Sequence, residues 1–160
     1  MAFRHSGPGM RVYRVADMRH PIFDGTGAML HGARWNSPGC RVIYAAQTYS
    51  GALLELMVHS SGRVPANQGY IEIRIPPRMK IEVVSPRDVR GWATPSSASA
   101  LKFGDRWYAE RRTPVLIVPS VVTRLETNII LNQQHPDFRL IKASRPKPVL
   151  WDARLWPDDR

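Results

Sequence analysis

Alternation of apolar and polar residues is the clearest pattern along this chain, and it predicts strands. In Tyr-Ile-Glu-Ile-Arg-Ile, residues 70–75, the isoleucines fall on one face and the other side chains on the opposite face. A period of two with one apolar face is typical of a sheet that is covered on one side. β-Branched content and partial alternation predict six further strands, at residues 11–15, 41–46, 80–84, 115–118, 127–131 and 138–141.

Helical periodicity is rarer than alternation. The best predicted helix covers residues 50–59, a second covers residues 98–110, and a short one is predicted after Asp17. Because strands outnumber helices and do not alternate regularly with them, we expect an α+β domain with a mostly antiparallel sheet. No Gly-x-Gly-x-x-Gly sequence follows a predicted strand and no Walker loop is present, which argues against a doubly wound nucleotide-binding fold.

Length and composition predict one globular domain over residues 1–160. Apolar residues make up 43% and charged residues 22% of the chain, values that are typical of folded domains. Cys40 is the only cysteine, so an internal disulfide framework is excluded. No apolar run approaches a membrane span and no apolar leader is readable near residue 1, so we expect a cytoplasmic protein with no membrane partner.

The chain is strongly basic: 23 Lys and Arg against 13 Asp and Glu give a formal net charge of +10. Such a balance favours an anionic partner, which is nucleic acid, a nucleotide or an acidic protein segment. The cations are spread along the chain, however, as they are on an ordinary solvated surface. A basic nucleic-acid-binding module or ribonuclease, and a non-enzymatic interaction domain, are therefore alternatives to an enzyme that acts on a nucleotide.

Glu55 stands out because it is the only carboxylate between residues 25 and 71. The predicted helix around it is apolar in nearly every direction, and such a helix is normally buried. A buried carboxylate needs a polar partner or a cavity, which makes Glu55 a candidate for chemistry. The alternative is a stripe that faces water, with Glu55 paired to His59 one helical turn away.

A glycine-rich segment at residues 24–39 carries Arg34, Trp35 and Asn36. Glycine loops let backbone N–H groups approach an anion closely. An arginine beside such a loop can grip a phosphate through two parallel hydrogen bonds. The segment therefore predicts an anion site, and the alternative is an ordinary surface loop that Trp35 anchors to the core.

Other polar residues carry weaker signals. Tyr44 lies on the strand before the helix that holds Glu55, so it is either a neighbour of that carboxylate or a core residue. Ser120 lacks the Gly-x-Ser-x-Gly context of a hydrolase nucleophile and is interpreted as a hydrogen-bond donor at a strand end. The five histidines show no paired ligand spacing, so no metal site is predicted.

Several short motifs occur together in a specific order. They include Gly-Ala-Arg-Trp-Asn at 32–36 and Ala-Leu-Leu-Glu-Leu-Met-Val-His at 52–59, and the others cover residues 11–14, 23–28, 42–46, 104–107, 118–120, 128–132 and 135–138. With this ordered set the chain resembles the RES domain family, the toxin half of bacterial RES–Xre toxin–antitoxin pairs. The resemblance runs from about residue 11 to residue 154, nearly the whole chain.

The resemblance implies a single α+β domain with a split, mostly antiparallel sheet, similar to ADP-ribosyltransferase toxins, and a cleft for NAD. It implies a type II toxin that consumes NAD by hydrolysis or phosphorolysis and so arrests growth. Transfer of ADP-ribose to a specific cellular protein is the alternative. NAD is then the substrate, and no cofactor is expected. The expected partner is a cognate Xre-family antitoxin. Contact with nucleic acid is expected only through that antitoxin. A homodimer is also possible.

The resemblance also assigns site residues. Those that match the family's arginine, tyrosine, glutamate and serine are Arg34, Tyr44, Glu55 and Ser120, and the first three are the expected catalytic residues. Glu55 would stabilise positive charge on the ribose. Arg34 and Arg14 would clamp the pyrophosphate, and Tyr44 would stack on nicotinamide. Ser120 would hydrogen-bond the amide or the ribose. The full set expected to bind NAD is Arg14, Arg34, Trp35, Asn36, Tyr44, Ser120 and Asn128.

Overall fold

Residues 3–6 and 8–156 are described by the structure, a computed structural model. The strands are β1 (Phe3–Ser6), β2 (Met10–Asp17), β3 (Val42–Ala46), β4 (Gln68–Ile75), β5 (Lys80–Val83), β6 (Val115–Pro119), β7 (Thr127–Asn132), β8 (Lys142–Ala143) and β9 (Lys147–Pro148). The α-helices are α1 (Thr26–His31), α2 (Tyr49–His59) and α3 (Ala98–Ala109). Two 3₁₀ helices cover Pro136–Leu140 and Ala153–Leu155.

The strands of the described part join in one mixed sheet. Its order is β1-β5-β6-β7-β3-β2-β4-β8, and β9 also pairs with β4. β5 and β6 run parallel, whereas the other described pairs are antiparallel. A parallel pair needs a long connection, and α3 lies within the one that joins β5 to β6. The predicted α+β class and mostly antiparallel sheet are therefore confirmed.

The sheet is split between β2 and β3. β2 pairs with β4 along all of its eight residues but with β3 only at Tyr13 and Ala46. Beyond that point the Arg14 side chain replaces the backbone ladder. Its Nη1 donates to the carbonyl oxygen of Tyr44 at 2.8 Å, and its Nε donates to the carbonyl oxygen of Ile22 at 2.9 Å. The predicted split is thus present, and the partly buried Arg14 side chain links the two halves of the sheet.

Neighbouring residues of a strand enter opposite hydrophobic clusters, one on each face of the sheet. The first cluster contains Ile71, Ile73 and Ile75, as their alternation predicts, and it is partly covered by Phe23 and Phe138. Those two rings stack with their centres 5.2 Å apart. The second cluster packs against α3 and is rich in tryptophan; its members include Trp35, Trp92, Trp107, Leu116 and Ile130.

The predicted strands agree with the structure to within two residues at each end, with one exception. Residues 138–141 lie largely in the 3₁₀ helix Pro136–Leu140, so the strand predicted there is wrong. Proline cannot donate to a strand ladder but suits the first turn of a helix. His135 caps that turn, because its Nδ1 accepts the backbone N–H of Asp137 at 3.1 Å. The apolar residues that suggested a strand still pack against the first cluster.

Two of the three predicted helices are present, as α2 and α3. The short helix predicted after Asp17 is wrong: the Asp17 carboxylate accepts the backbone N–H of Arg19 at 2.9 Å and closes a turn instead. α2 is also less buried than its apolar sequence predicts, since Leu54 is 44% and Val58 62% exposed. None of the helices in the described part of the chain is long and apolar enough to cross a bilayer.

Candidate active site

A cleft of about 890 Å³ opens where β2 and β3 part. Its walls are these two strands, one face of α2 and the loop that follows α1. The volume lies within the range of roughly 300–1,000 Å³ that is usual for small-molecule sites. Seven of the predicted site residues line the cleft: Arg14, Arg34, Trp35, Asn36, Tyr44, Glu55 and Asn128.

Glu55 projects from α2 with one carboxylate oxygen already engaged. Its Oε1 accepts a hydrogen bond from Asn128 Nδ2 at 2.8 Å and another from Ser120 Oγ at 3.1 Å. Ser120 is only 1% exposed, and its Oγ in turn accepts the backbone N–H of Thr123. No described residue donates to Oε2 of Glu55. The carboxylate is therefore held in place and keeps one oxygen open towards the cleft.

The structure does not pair the Glu55 and His59 side chains. The Nδ1 atom of His59 lies 2.6 Å from the backbone carbonyl oxygen of Glu55 rather than from its carboxylate. The solvent-facing ion pair that the helix spacing suggested is therefore absent from the described contacts. Thr48 caps the start of the same helix, because its Oγ1 accepts the backbone N–H of Gly51 at 2.9 Å.

Tyr44 on β3 and Asn36 on the loop after α1 form a hydrogen-bonded pair in the lining of the cleft. The Tyr44 hydroxyl donates to Asn36 Oδ1 at 2.8 Å and accepts the Trp35 backbone N–H at 3.2 Å. Asn36 is 1% exposed, and its Nδ2 donates to the carbonyl oxygens of Ala28 and Ser37. Burial raises the pKa of the Tyr44 phenol well above its usual value. Tyr44 is therefore a neutral phenol at physiological pH.

Arg34 binds the loop before α3. Its Nη1 donates to the carbonyl oxygens of Trp92 at 2.8 Å and Thr94 at 2.7 Å. Its Nε and Nη2 atoms donate to no group of the described residues. That edge of the guanidinium has the fork geometry that binds a phosphate through two hydrogen bonds. Arg34 thus both ties a loop to the cleft and presents a binding edge.

Arg14 supplies a second cation at the floor of the cleft. Its Nη1 binds the Tyr44 carbonyl across the split and its Nε binds the Ile22 carbonyl on the loop after β2, while Nη2 donates to no group of the described residues. Burial lowers the pKa of the Arg14 guanidinium, and the nearby Asp24 carboxylate opposes that shift. An arginine does not lose its proton under physiological conditions. Arg14 therefore remains charged beside the ligand space.

The Trp35 indole belongs to the core, since Trp35 is 3% exposed and packs edge-on against Phe103. Trp35 borders the cleft, but its indole anchors residues 24–39 to the core, which was the alternative interpretation of this segment. Gly104 allows the packing of α3, because a Cβ there would collide with the carbonyl oxygen of Trp35. The next residue, Asp105, accepts the backbone N–H of Ser37 at 2.7 Å and also its hydroxyl.

Gly104 and Asp105 thus position the Arg34–Asn36 loop, and sequence reasoning assigned them no role. The signal was present, because residues 104–107 are one of the family-like motifs. Tyr13, His31 and His59 also line the cleft. Tyr13 and His59 lie within the family-like motifs at residues 11–14 and 52–59 but were assigned no part in the chemistry, and no pattern in the sequence pointed to His31.

The fold and the cleft together define a small α+β domain with a pocket at the split of its sheet, lined by two arginines and a carboxylate among apolar residues. Comparison with known proteins identifies which domain this is. The model of the family described as "RES domain" matches residues 11–152. The chain belongs to the RES domain family, as the ordered motifs indicated.

Named relatives agree with this membership. The chain is 37% identical over 150 residues to the Prs ADP-ribosylating toxin of Sphingobium sp. (strain YBL2), covering 91% of this chain and 90% of that protein. It is 32% identical over 157 residues to the Toxin Res of Yersinia enterocolitica, covering 91% and 99%. A chain in the crystal structure of the M. tuberculosis MbcT–MbcA toxin–antitoxin complex has the same fold, with a TM-score of 0.69, 13% identity and coverage of 90% and 86%.

Proposed function

We propose that this protein is the toxin of a type II toxin–antitoxin pair and that it consumes NAD by cleaving the bond between nicotinamide and ribose. The observation that carries the proposal is Glu55, whose carboxylate is held by Ser120 and Asn128 and keeps Oε2 open to the cleft. The names of the relatives support the toxin role. NAD enters as substrate, and the proposed reaction needs no resident cofactor or metal.

The reaction needs a fixed negative charge beside the ribose. As neutral nicotinamide leaves, C1′ of the ribose gains oxocarbenium character, and a nearby carboxylate stabilises that positive charge. A carboxylate already oriented by hydrogen bonds does not have to reorganise during the reaction. The two donors to Oε1 therefore support a catalytic role for Glu55 rather than a merely structural one.

Other residues that line the cleft are suited to bind the rest of the dinucleotide. The pyrophosphate of NAD carries negative charge, and the open edge of Arg34 and the free Nη2 of Arg14 are suited to bind it. Tyr44 presents a neutral aromatic ring, against which nicotinamide can stack before it departs. Asn36 keeps that ring in place through the Tyr44 hydroxyl.

Product identification tests the proposal. Purified protein is incubated with NAD, with and without inorganic phosphate, and the products are separated and identified. We expect nicotinamide in both reactions, with ADP-ribose formed by hydrolysis or a phosphorylated ADP-ribose formed by phosphorolysis. NAD that stays intact in every reaction would contradict the proposal.

Transfer of ADP-ribose to a protein is the second candidate. It is favoured by the relative at 37% identity, whose name describes it as ADP-ribosylating. The bond that breaks is the same, and only the acceptor differs. Incubation of labelled NAD with the protein and a bacterial lysate distinguishes the two: labelled protein bands indicate transfer, whereas label found only in small molecules indicates consumption of NAD.

The proposed partner is a cognate Xre-family antitoxin, and nucleic acid would be reached only through it. The complex in the structural comparison supports the idea of an antitoxin partner. A net charge of +10 suits both an anionic dinucleotide and an acidic protein segment. Direct binding of nucleic acid is the alternative explanation of the positive charge. It would appear as salt-dependent retention on RNA by a protein that leaves NAD intact.

A further inference from the structure

His59 lies one helical turn after Glu55 and lines the same cleft. A turn of α-helix advances about 5.4 Å and returns to the same face, so the imidazole neighbours the carboxylate. His59 is exposed, whereas Glu55 is half-buried. The imidazole therefore lies nearer the solvent side of the cleft. The reaction proposed above uses Glu55 and leaves this histidine without a role.

One hydrogen bond determines which nitrogen of His59 carries the proton. Nδ1 lies 2.6 Å from the backbone carbonyl oxygen of Glu55. A carbonyl oxygen can only accept, so Nδ1 is the donor. In the neutral imidazole the lone pair is then on Nε2. No group among the described residues hydrogen-bonds to Nε2, so this nitrogen is free to take a proton from a molecule in the cleft.

We propose that His59 is the general base that deprotonates the acceptor of ADP-ribose. The inference rests on the function proposed above and adds the acceptor side of the reaction. The acceptor is a hydroxyl compound, either water or a protein side chain. Its oxygen attacks C1′ of the ribose and forms a C–O bond. The bond from C1′ to nicotinamide breaks, and its electron pair leaves on the nicotinamide nitrogen. The hydroxyl proton goes to Nε2 of His59, and the resulting imidazolium releases it to solvent.

Glu55 and His59 are placed for different roles, Glu55 facing the ribose and His59 facing the acceptor. The Glu55 carboxylate is fixed from the inner side by Ser120 and Asn128, where it can face the ribose. His59 is on the exposed side, from which an acceptor has to arrive. Both side chains project from one helix, so their spacing is set by the helix itself. An acceptor placed between the ribose and His59 can therefore transfer its proton to Nε2 while its oxygen attacks C1′.

Other charged and titratable groups also face this part of the cleft, so the pH test must separate them from His59. They are Glu55 on α2, Tyr13 and Arg14 on β2, Tyr44 on β3, and His31 and Arg34 around the loop after α1. Replacement of His59 leaves all six in place. A change in the pH profile that follows that replacement alone therefore belongs to His59.

The experiment compares the wild type, His59→Ala and His20→Ala by nicotinamide release from NAD in phosphate-free buffer. His20 is a matched control, because it is exposed and does not line the cleft. We expect His59→Ala to lower kcat by about 100-fold, the lower end of general-base effects, with little change in KM. We also expect the acid side of the pH profile to differ from that of the wild type and added imidazole to restore part of kcat. His20→Ala should match the wild type in each respect.

The outcomes separate this inference from the proposed function. If the wild type releases no nicotinamide either in this buffer or with phosphate added, the proposed function and the role of His59 both fail. If it releases nicotinamide only with phosphate, the role of His59 alone fails. If the wild type is active and His59→Ala keeps its kcat and the acid side of its pH profile, only the role of His59 fails. The role of His59 is also overturned if His59→Ala raises only KM, or if imidazole does not restore kcat in a folded His59→Ala protein. Thermal melting of each variant establishes that the protein is folded.

Discussion

Glu55 on α2 is held by two hydrogen-bond donors from the adjacent strands β6 and β7, which are distant from it in the chain. Ser120 directly follows β6, and Asn128 lies on β7. Both contact the same oxygen, so the carboxylate cannot rotate freely. A negative charge that is fixed before substrate arrives is worth more to a charged transition state than one that must be reoriented.

Removing that charge should abolish most NAD turnover. Glu55→Gln keeps the size of the side chain and an oxygen that can accept from Ser120 and Asn128. We expect kcat to fall by about 10²–10³-fold, the usual cost of losing one preorganised electrostatic group, while the melting temperature stays close to that of the wild type. Nicotinamide release measures the change.

Glu110→Gln is the matched control for this substitution. Glu110 is exposed, pairs with Arg106, and does not line the cleft. Its replacement should leave turnover unchanged. Turnover near the wild-type rate in a folded Glu55→Gln protein would exclude Glu55 as the catalytic carboxylate.

Arg34→Ala should weaken NAD binding more than it slows chemistry. The substitution removes the open guanidinium edge, and charge-assisted hydrogen bonds are worth about 1.5–3 kcal/mol, which is roughly a 10- to 100-fold rise in KM. Arg34→Lys should recover only part of the loss, because an ammonium lacks the planar fork. Arg106→Ala, at an exposed position outside the cleft, serves as the control. An unchanged KM in Arg34→Ala would contradict the phosphate contact.

At the level of secondary-structure elements, α3 supports the loop that carries Arg34. Gly104 lets the helix backbone approach Trp35, and Asp105 holds Ser37 by its backbone and its hydroxyl. Burial is the main reason that the pKa of the neighbouring Cys40 thiol is raised, to about 11, and the Asp105 charge adds to it. The thiol is therefore protonated at neutral pH, and the loop contains no reactive thiolate.

Gly104→Ala should disrupt this support. The added Cβ would meet the carbonyl oxygen of Trp35, and an oversized group in a packed interior typically costs about 1–3 kcal/mol, occasionally more. We expect a lower free energy of unfolding in a urea titration, and a higher KM for NAD in the protein that remains folded.

Gly27→Ala provides the control for that measurement. Gly27 lies in α1, and a Cβ at this position meets nothing within 4 Å. Alanine is the better helix former, so this variant should be as stable as the wild type or slightly more stable. Equal stability of the two variants would show that the contact between α3 and the loop is not as tight as described.

At the level of the whole molecule, the site exists because the sheet is divided. The two halves share a single residue pair between β2 and β3, and Arg14 bridges the gap. The cleft is formed by that gap, with α2 on one side and the loop after α1 on the other. A partner that filled the gap would therefore reach Arg34, Tyr44 and Glu55 together.

Inhibition by the proposed antitoxin should therefore compete with NAD. We expect the protein expressed alone to lower cellular NAD and arrest growth, whereas Glu55→Gln expressed at the same level does neither. In vitro, raising the NAD concentration should lower the apparent inhibition by purified antitoxin. Inhibition that does not respond to NAD would exclude occupation of the cleft. Growth arrest at a constant NAD level would instead favour modification of a target protein.

Much of the fold could be predicted because its signals are local. β-Branched content and alternation located six of the seven predicted strands, since side chains of a strand point to opposite faces whatever the neighbouring strand is. The exception, residues 138–141, has an apolar pattern too short to separate a strand from a 3₁₀ turn, and Pro136 favoured the turn. The short strands β1, β8 and β9 were not predicted. The single carboxylate in a long stretch without acids pointed to Glu55, and the ordered motifs indicated the family.

Contacts between distant residues could not be predicted from local pattern. Ser120 and Asn128 lie 65 and 73 residues from Glu55 in the chain, and only the order of β6, β7 and β3 brings them to one carboxylate oxygen. The bridge from Arg14 to Tyr44 likewise exists because β2 and β3 separate after one residue pair. Periodicity reports which face a residue is on, but it carries no information about which strand becomes its neighbour. The element types and the family were therefore readable along the chain, whereas the cleft and the two donors to Glu55 arise from packing in three dimensions.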